Sequence, residues 1–106
     1  MAPRLSVVVP IYNVELYLDE CLDSLATQTM TDLEVVMVDD GSTDGSAEIA
    51  RAWEAKDSRF RLVQKKNGGL GPARNTGMEH ISPDSEFLAF VDSDDTLPPT
   101  AYELML

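Results

Sequence analysis

Three carboxylates crowd into the four residues Asp92-Ser93-Asp94-Asp95, directly after the apolar run Phe87 to Val91. Two unit charges about 4 Å apart repel by roughly 4 kcal/mol at an effective dielectric near 20. A turn that crowds such groups needs protonation, an arginine or lysine, or a divalent cation to offset the repulsion. Hard cations such as Mg²⁺ and Mn²⁺ combine one or two carboxylates with phosphate oxygens. Asp92, Asp94 and Asp95 are therefore candidate metal ligands. Read alone, the same residues also fit a solvated turn that caps the next helix.

A second acidic pair, Asp39-Asp40, closes the apolar run Leu33 to Val38. Asp39 could brace the following loop, and Asp40 could accept a hydrogen bond from a nucleobase or ribose. The bland alternative is a helix N-cap with Gly41 making the turn. Tyr12 follows the first apolar run and could stack on a base, a contact worth about 1–3 kcal/mol. Arg74 falls in the first turn of an expected helix, where the dipole disfavours a cation. It could reach a base carbonyl or brace Asp40, or be a plain surface arginine. Gly68-Gly69-Leu70-Gly71 lacks both the G-x-G-x-x-G spacing and the Lys-Ser/Thr of a phosphate loop. It reads as a flexible loop, with Lys65 and Lys66 as its solvated flank. His80, Cys21 and Trp53 read as structural.

The elements that must position these residues alternate along the chain. Leu5 to Val9 is an apolar, β-branched strand closed by Pro10. Asn13 can cap a helix over Val14 to Gln28, where Val14, Leu18, Leu22 and Leu25 form one apolar face. Leu33 to Val38 is a second buried strand. Ser42, Thr43 or Asp44 can cap a second helix to about Ala55, with Ile49, Ala52 and Trp53 inward. Phe60 to Gln64 alternates, which fits a strand with a wetter face or an edge position. Pro72 suits the first turn of a third helix ending near His80. Phe87 to Val91 reads as a fourth buried strand, and Pro98-Pro99 announce a fourth helix. Four βα units imply an α/β fold, a parallel sheet with right-handed crossovers and helices on both faces. In such sheets ligands collect at the carboxyl ends of the strands, where strand order reverses. Tyr12, Asp39-Asp40 and the Asp92–Asp95 turn all fall there.

The 106 residues suit one domain, and 43% apolar content argues against disorder. A net charge of −11 argues against nucleic-acid or anionic-membrane binding through this segment, since both need a basic surface. A cation could still let so acidic a domain hold an anionic ligand. No apolar run approaches the roughly 20 residues that span a bilayer, and Met1-Ala2-Pro3-Arg4 lacks a signal-peptide layout. One cysteine makes no internal disulfide, which fits a reducing cytoplasm. Membrane association, if any, is left to segments outside these residues.

Taken together the residues resemble the inverting, GT-A-fold glycosyltransferases of family 2. The resemblance rests on Ser6 to Asn13 (SVVVPIYN), Val38 to Ser46 (VDDGSTDGS), Asn67 to Gly77 (NGGLGPARNTG) and Phe90 to Asp95 (FVDSDD), in that order. It implies a Rossmann-like sheet of about four strands that forms the nucleotide-sugar-binding front half of such an enzyme. Pro10 and Tyr12 would flank uracil or another base, Tyr12 by stacking. Asp40 would hydrogen-bond the base ring nitrogen with Asp39 in support, and Arg74 would lie near the base and diphosphate. Asp92 and Asp94 would be the D-x-D pair, one touching ribose and one holding Mn²⁺ or Mg²⁺, with Asp95 an alternative metal ligand. The donor would be a nucleotide-diphospho-sugar, with a UDP-sugar the first choice, and the acceptor a saccharide or other hydroxyl compound. The family's carboxylate base lies downstream of the D-x-D, so it is expected beyond Leu106. Residues 1–106 would then bind donor without efficient transfer and self-associate through an exposed sheet edge.

Three rivals compete. Asp92 to Leu97 resembles the D-x-D-G-T-L loop of aspartyl-phosphate phosphohydrolases, but that loop should follow the first strand and Asp95 replaces its glycine. Val36 to Asp40 resembles a receiver domain, whose phospho-acceptor aspartate should follow the third strand, which ends here in Gln64-Lys65-Lys66. A nucleotide-binding module without catalysis is the third.

Overall fold

Leu5–Ile11 and Leu33–Asp40 are apolar without strict alternation, and such strands need cover on both faces. They become the two inner strands, β1 and β2, of a four-stranded parallel sheet of order β3-β2-β1-β4. The outer strands are β3 (Phe60–Lys65) and β4 (Phe87–Phe90). The computed structural model describes residues 3–105. Met1 and Ala2, and Leu106 where the expected fourth helix breaks off, lie outside the described residues.

Helices α1 (Leu18–Ala26) and α2 (Ser46–Lys56) cover one face of the sheet. Leu18, Leu22, Leu25 and Trp53 pack there against Val7, Val9, Val35 and Met37. Helix α3 (Leu70–His80) covers the other face, with Ala73 on Val8, Val36 and Val38. Its approach is close: a Cβ on Gly77 would lie 2.3 Å from Val8 Cγ1, so only glycine lets the helix seat at this depth. The short α4 (Ala101–Met105) hangs from the end of α1. Gln28 Nε2 donates to the Pro98 carbonyl and its Oε1 accepts from the Tyr102 N–H. No described helix is long and apolar enough to cross a membrane.

The α/β expectation holds, and several local expectations change. Strand β1 runs through Pro10 to Ile11 instead of stopping at Val9. Pro10 lies beyond Val8↔Phe90, the last β1–β4 pair, so only β2 flanks it and a missing N–H is tolerated. Helix α1 starts at Leu18, four residues later than expected, after a turn closed on the Val14 carbonyl. Asn13 does not cap it. At φ 51° Asn13 turns its side chain to the β2–α2 loop, where Oδ1 accepts the Thr43 N–H at 2.8 Å. On α2, Ala50 is buried and Ala52 exposed, so the inward face runs through Ala47, Ala50 and Trp53. Helix α3 begins at Leu70, two residues before Pro72. The fourth strand ends at Phe90 and sits at the edge, which leaves Phe87, Leu88 and Phe90 40–42% exposed. Strand β3 is the other edge, as its alternation suggested.

Candidate functional site

The chain winds β1, β2, β3 in one direction and then returns to place β4 on the far side of β1. Loops leaving β1 and β4 therefore diverge and open a crevice at the carboxyl ends of the strands. A cavity of about 510 Å³ lies there. Pro10 lines it from β1, Tyr12 from the loop that follows, Asp40 from β2, and Asp92 and Asp94 from the turn after β4. Asn67, Gly69 and Ala73 complete the wall from the β3–α3 loop and α3. Residues up to 84 apart in sequence thus meet because the sheet aligns the strand ends.

The rim of the cavity is stitched by two loops. The N–H groups of Asn13, Val14 and Glu15 donate to Ser42 Oγ, Ser46 Oγ and Asp44 Oδ2 at 3.0–3.2 Å. Glu15 Oε2 accepts in return from the Gly45 N–H. These bonds satisfy N–H groups of the two loops themselves; α1 and α2 start after Tyr17 and Gly45 with no side-chain cap. Tyr12, next to these loops, is 49% exposed beside the cavity.

Asp39 and Asp40 are both buried, at 3% and 4% exposure, but point to different duties. Asp39 Oδ1 accepts the Ser42 N–H at 3.2 Å and so braces the loop. Asp40 Oδ1 accepts from Lys65 Nζ at 2.8 Å and from the Gly68 N–H at 2.9 Å. Its Oδ2 accepts the Gly69 N–H at 2.9 Å, with Asn67 Nδ2 at 3.4 Å. Burial alone would raise the Asp40 pKa, but the Lys65 ammonium and the two glycine N–H groups outweigh it and hold the carboxyl below its ordinary value. The group is ionised and acceptor-only at neutral pH.

The acidic turn is exposed, with carboxylate oxygens of Asp92, Asp94 and Asp95 within 4.8 Å of one another. Its backbone is held from below. The Asp92 carbonyl accepts the Asp95 N–H at 3.0 Å and the Cys21 thiol at 3.6 Å. Burial first, then the nearby Asp95, Asp94 and Asp92 charges, push the Cys21 pKa up to about 12. That thiol is fully buried, in keeping with its structural reading, and it stays neutral. Oxygen-only ligands that close together suit a hard divalent cation.

Of the residues singled out from sequence, Pro10, Tyr12, Asp40, Asp92 and Asp94 share the cavity. Asp39 stands behind it. Asp95 belongs to the acidic cluster without lining the wall. Arg74 also stands outside the wall. Its guanidinium lies 5.5 Å from the Phe90 ring centroid, and its buried Nε has no hydrogen-bond partner among the described residues. The cation that pairs with Asp40 is Lys65, read from sequence as solvated. Asn67 was likewise unassigned. Lys65 was findable: a carboxylate ending a buried strand needs a partner, and lysine ends the neighbouring strand.

An open parallel sheet with a ligand-sized cavity at its switch point defines a ligand-binding α/β domain of the doubly wound kind. Residues 6–106 match the family model for glycosyl transferase family 2, so the chain belongs to that family. Glycosyltransferase GlyA of Streptococcus pneumoniae is 48% identical over 92 residues, covering 87% of this chain and 13% of that protein. Staphylococcus aureus TarS 1-349 in complex with UDP-GlcNAc superposes with a TM-score of 0.86 at 39% identity, covering 96% of this chain and 30% of that one. The mannosyltransferase PcManGT from Pyrobaculum calidifontis, in complex with GDP-Man and Mn²⁺, gives 0.77 at 32% identity, covering 92% and 29%. The chain spans about a third or less of the curated relatives it matches.

Proposed function

We propose that this domain holds a nucleotide-diphospho-sugar, with a UDP-sugar preferred, as donor for inverting transfer of the sugar to an acceptor hydroxyl. The observation that carries the reading is that a single cavity joins an acidic turn to a buried, ionised Asp40 beside an exposed aromatic ring. Few ligands ask for both ends at once; a base joined to a diphosphate does. Tyr12 stacks on the base over Pro10, and Asp40 accepts a ring N–H with Asp39 bracing its loop. Asp92 serves ribose and metal, and Asp94 with Asp95 holds Mn²⁺ or Mg²⁺. Arg74, whose guanidinium sits over Phe90 outside the wall, would reach the base or diphosphate only by turning inward. When bound, the cation neutralises charge that develops on the departing diphosphate. The neighbours' complexes with UDP-GlcNAc and with GDP-Man and Mn²⁺ support this donor class. The base that deprotonates the acceptor is assigned to no residue of this chain.

Calorimetric titration of UDP with and without Mn²⁺ tests the reading, followed by GDP and dTDP. Metal-dependent binding of one of them is expected. A folded chain that binds none of the three refutes it. Strand β4 supports a further proposal, self-association along its outer edge, where Phe87, Leu88 and Phe90 are exposed. Light scattering that shows a monomer at high concentration would count against that.

A further inference from the structure

The β2–β3 register sets Asp40 directly opposite Lys65 at the carboxyl end of the sheet. The lysine is no loose surface cation. Its side chain is 19% exposed, and Nζ donates both to Asp40 Oδ1 at 2.8 Å and to the Lys66 carbonyl at 2.6 Å. A Cβ on Gly68 would stand 3.0 Å from Nζ, so the loop is folded tightly around the ammonium.

The four contacts on the Asp40 carboxylate divide by oxygen. Oδ1 is gripped by Lys65 and Gly68, which lie outside the cavity wall. Oδ2 meets Gly69 and Asn67, which line it. A carboxylate offers about four lone-pair sites, and each of them faces a donor. The contact on the cavity side from Asn67, at 3.4 Å, is the longest of the four and the weakest by geometry. A ligand N–H can exchange with it while the other three keep the carboxylate in place.

We infer that Lys65 is a positioning residue for base recognition: it locks the outer oxygen of Asp40 so that the inner oxygen alone is presented to a ring N–H. This rests on the donor-site reading above. It names the class of base that the lock selects. Uracil and guanine carry a ring N–H on the edge that a carboxylate can read, whereas cytosine and adenine present a bare ring nitrogen that a carboxylate repels. Without Lys65 the outer oxygen keeps only the Gly68 N–H, its hold on the rotamer loosens, and the discrimination weakens with it.

The test is calorimetry with Mn²⁺ and UDP, GDP, CDP and ADP on the wild-type chain, Lys65→Met and Lys65→Arg. Lys65→Met is expected to weaken the preferred ring-N–H nucleotide by about tenfold or more, the range of a charged hydrogen bond. CDP and ADP should change little, so the ratio between the two groups collapses. Lys65→Arg should restore the ratio. A folded Lys65→Met that keeps the wild-type ratio overturns the inference, and so does equal loss for all four nucleotides, the mark of a merely structural lysine. If Lys65→Met does not fold, Lys65→Ala carries the same comparison, because it likewise removes the donor on Oδ1. A wild-type chain that binds none of the four, nor dTDP, instead refutes the donor-site reading, whatever Lys65 does.

Discussion

Replacing Asp94 with asparagine should make the metal-free domain more stable and the loaded domain less so. The carboxylates of Asp92, Asp94 and Asp95 lie within 4.8 Å of one another and are exposed. In a water-like dielectric each pair at that distance costs about 0.9 kcal/mol. Asp94→Asn removes two of the three pairs, roughly 1.7 kcal/mol before salt; screening, and the repulsion these neighbours keep in the unfolded chain, leave at most about 1 kcal/mol. For a domain of this size that corresponds to a rise of at most about 4–8 °C in Tm. The opposite holds once cation and nucleotide are present. A ligand at a hundred times its Kd stabilises the wild type by about 2.7 kcal/mol, and on the proposed reading, in which Asp94 holds the cation, the variant loses most of this increment. Thermal unfolding in chelator, and then in Mn²⁺ with UDP, should therefore show the two proteins exchanging rank. A lower Tm for Asp94→Asn in chelator would mean that its carboxylate makes a contact worth more than the repulsion. An undiminished response to Mn²⁺ and UDP would place the cation elsewhere.

Other expectations follow from packing and titration. Gly77→Ala should cost about 1–3 kcal/mol by overpacking against Val8. Val8→Ala in that background should recover part of it, and strictly additive losses in chemical denaturation would show that the two do not meet. Cys21 is buried with its pKa pushed up to about 12, so a thiol reagent should label it only on unfolding. Rapid labelling of the native chain at pH 8 would contradict the structure. The hydrogen bonds and charge of Arg59 hold the Asp57 carboxyl below its ordinary value of 3.8. Its stabilisation is therefore complete above about pH 5 and fades as the pH falls through the lowered folded pKa. Asp57→Asn should be about 1 kcal/mol less stable at pH 7, and this gap should close toward pH 2. A gap constant across that range would mean the charge contributes nothing.

Much of this domain was legible in one dimension because it depends on nearest neighbours. Unbroken β-branched runs demanded a sheet covered on both faces, and helical spacing between them demanded parallel strands. That topology alone put Tyr12, Asp39, Asp40 and the Asp92–Asp95 turn at one end of the sheet. What required tertiary structure were the places where a residue's partner is remote in sequence. Asn13 reads as a helix cap but bonds Thr43, because the β1–α1 and β2–α2 loops meet at the rim. Phe87, Leu88 and Phe90 read as a buried strand but lie at an edge, because hydrophobicity does not reveal which strand is outermost. Lys65 reads as solvated, and Arg74 as a reach to a base carbonyl, a brace of Asp40 or a surface arginine, yet the register gives Asp40 to Lys65 and Arg74 sits over Phe90. Composition and spacing determined which chemistry is present and at which end of the sheet. Which cation neutralises which carboxylate was decided only by strand register, since a Coulomb pair depends on distance in space and leaves no periodic trace along the chain.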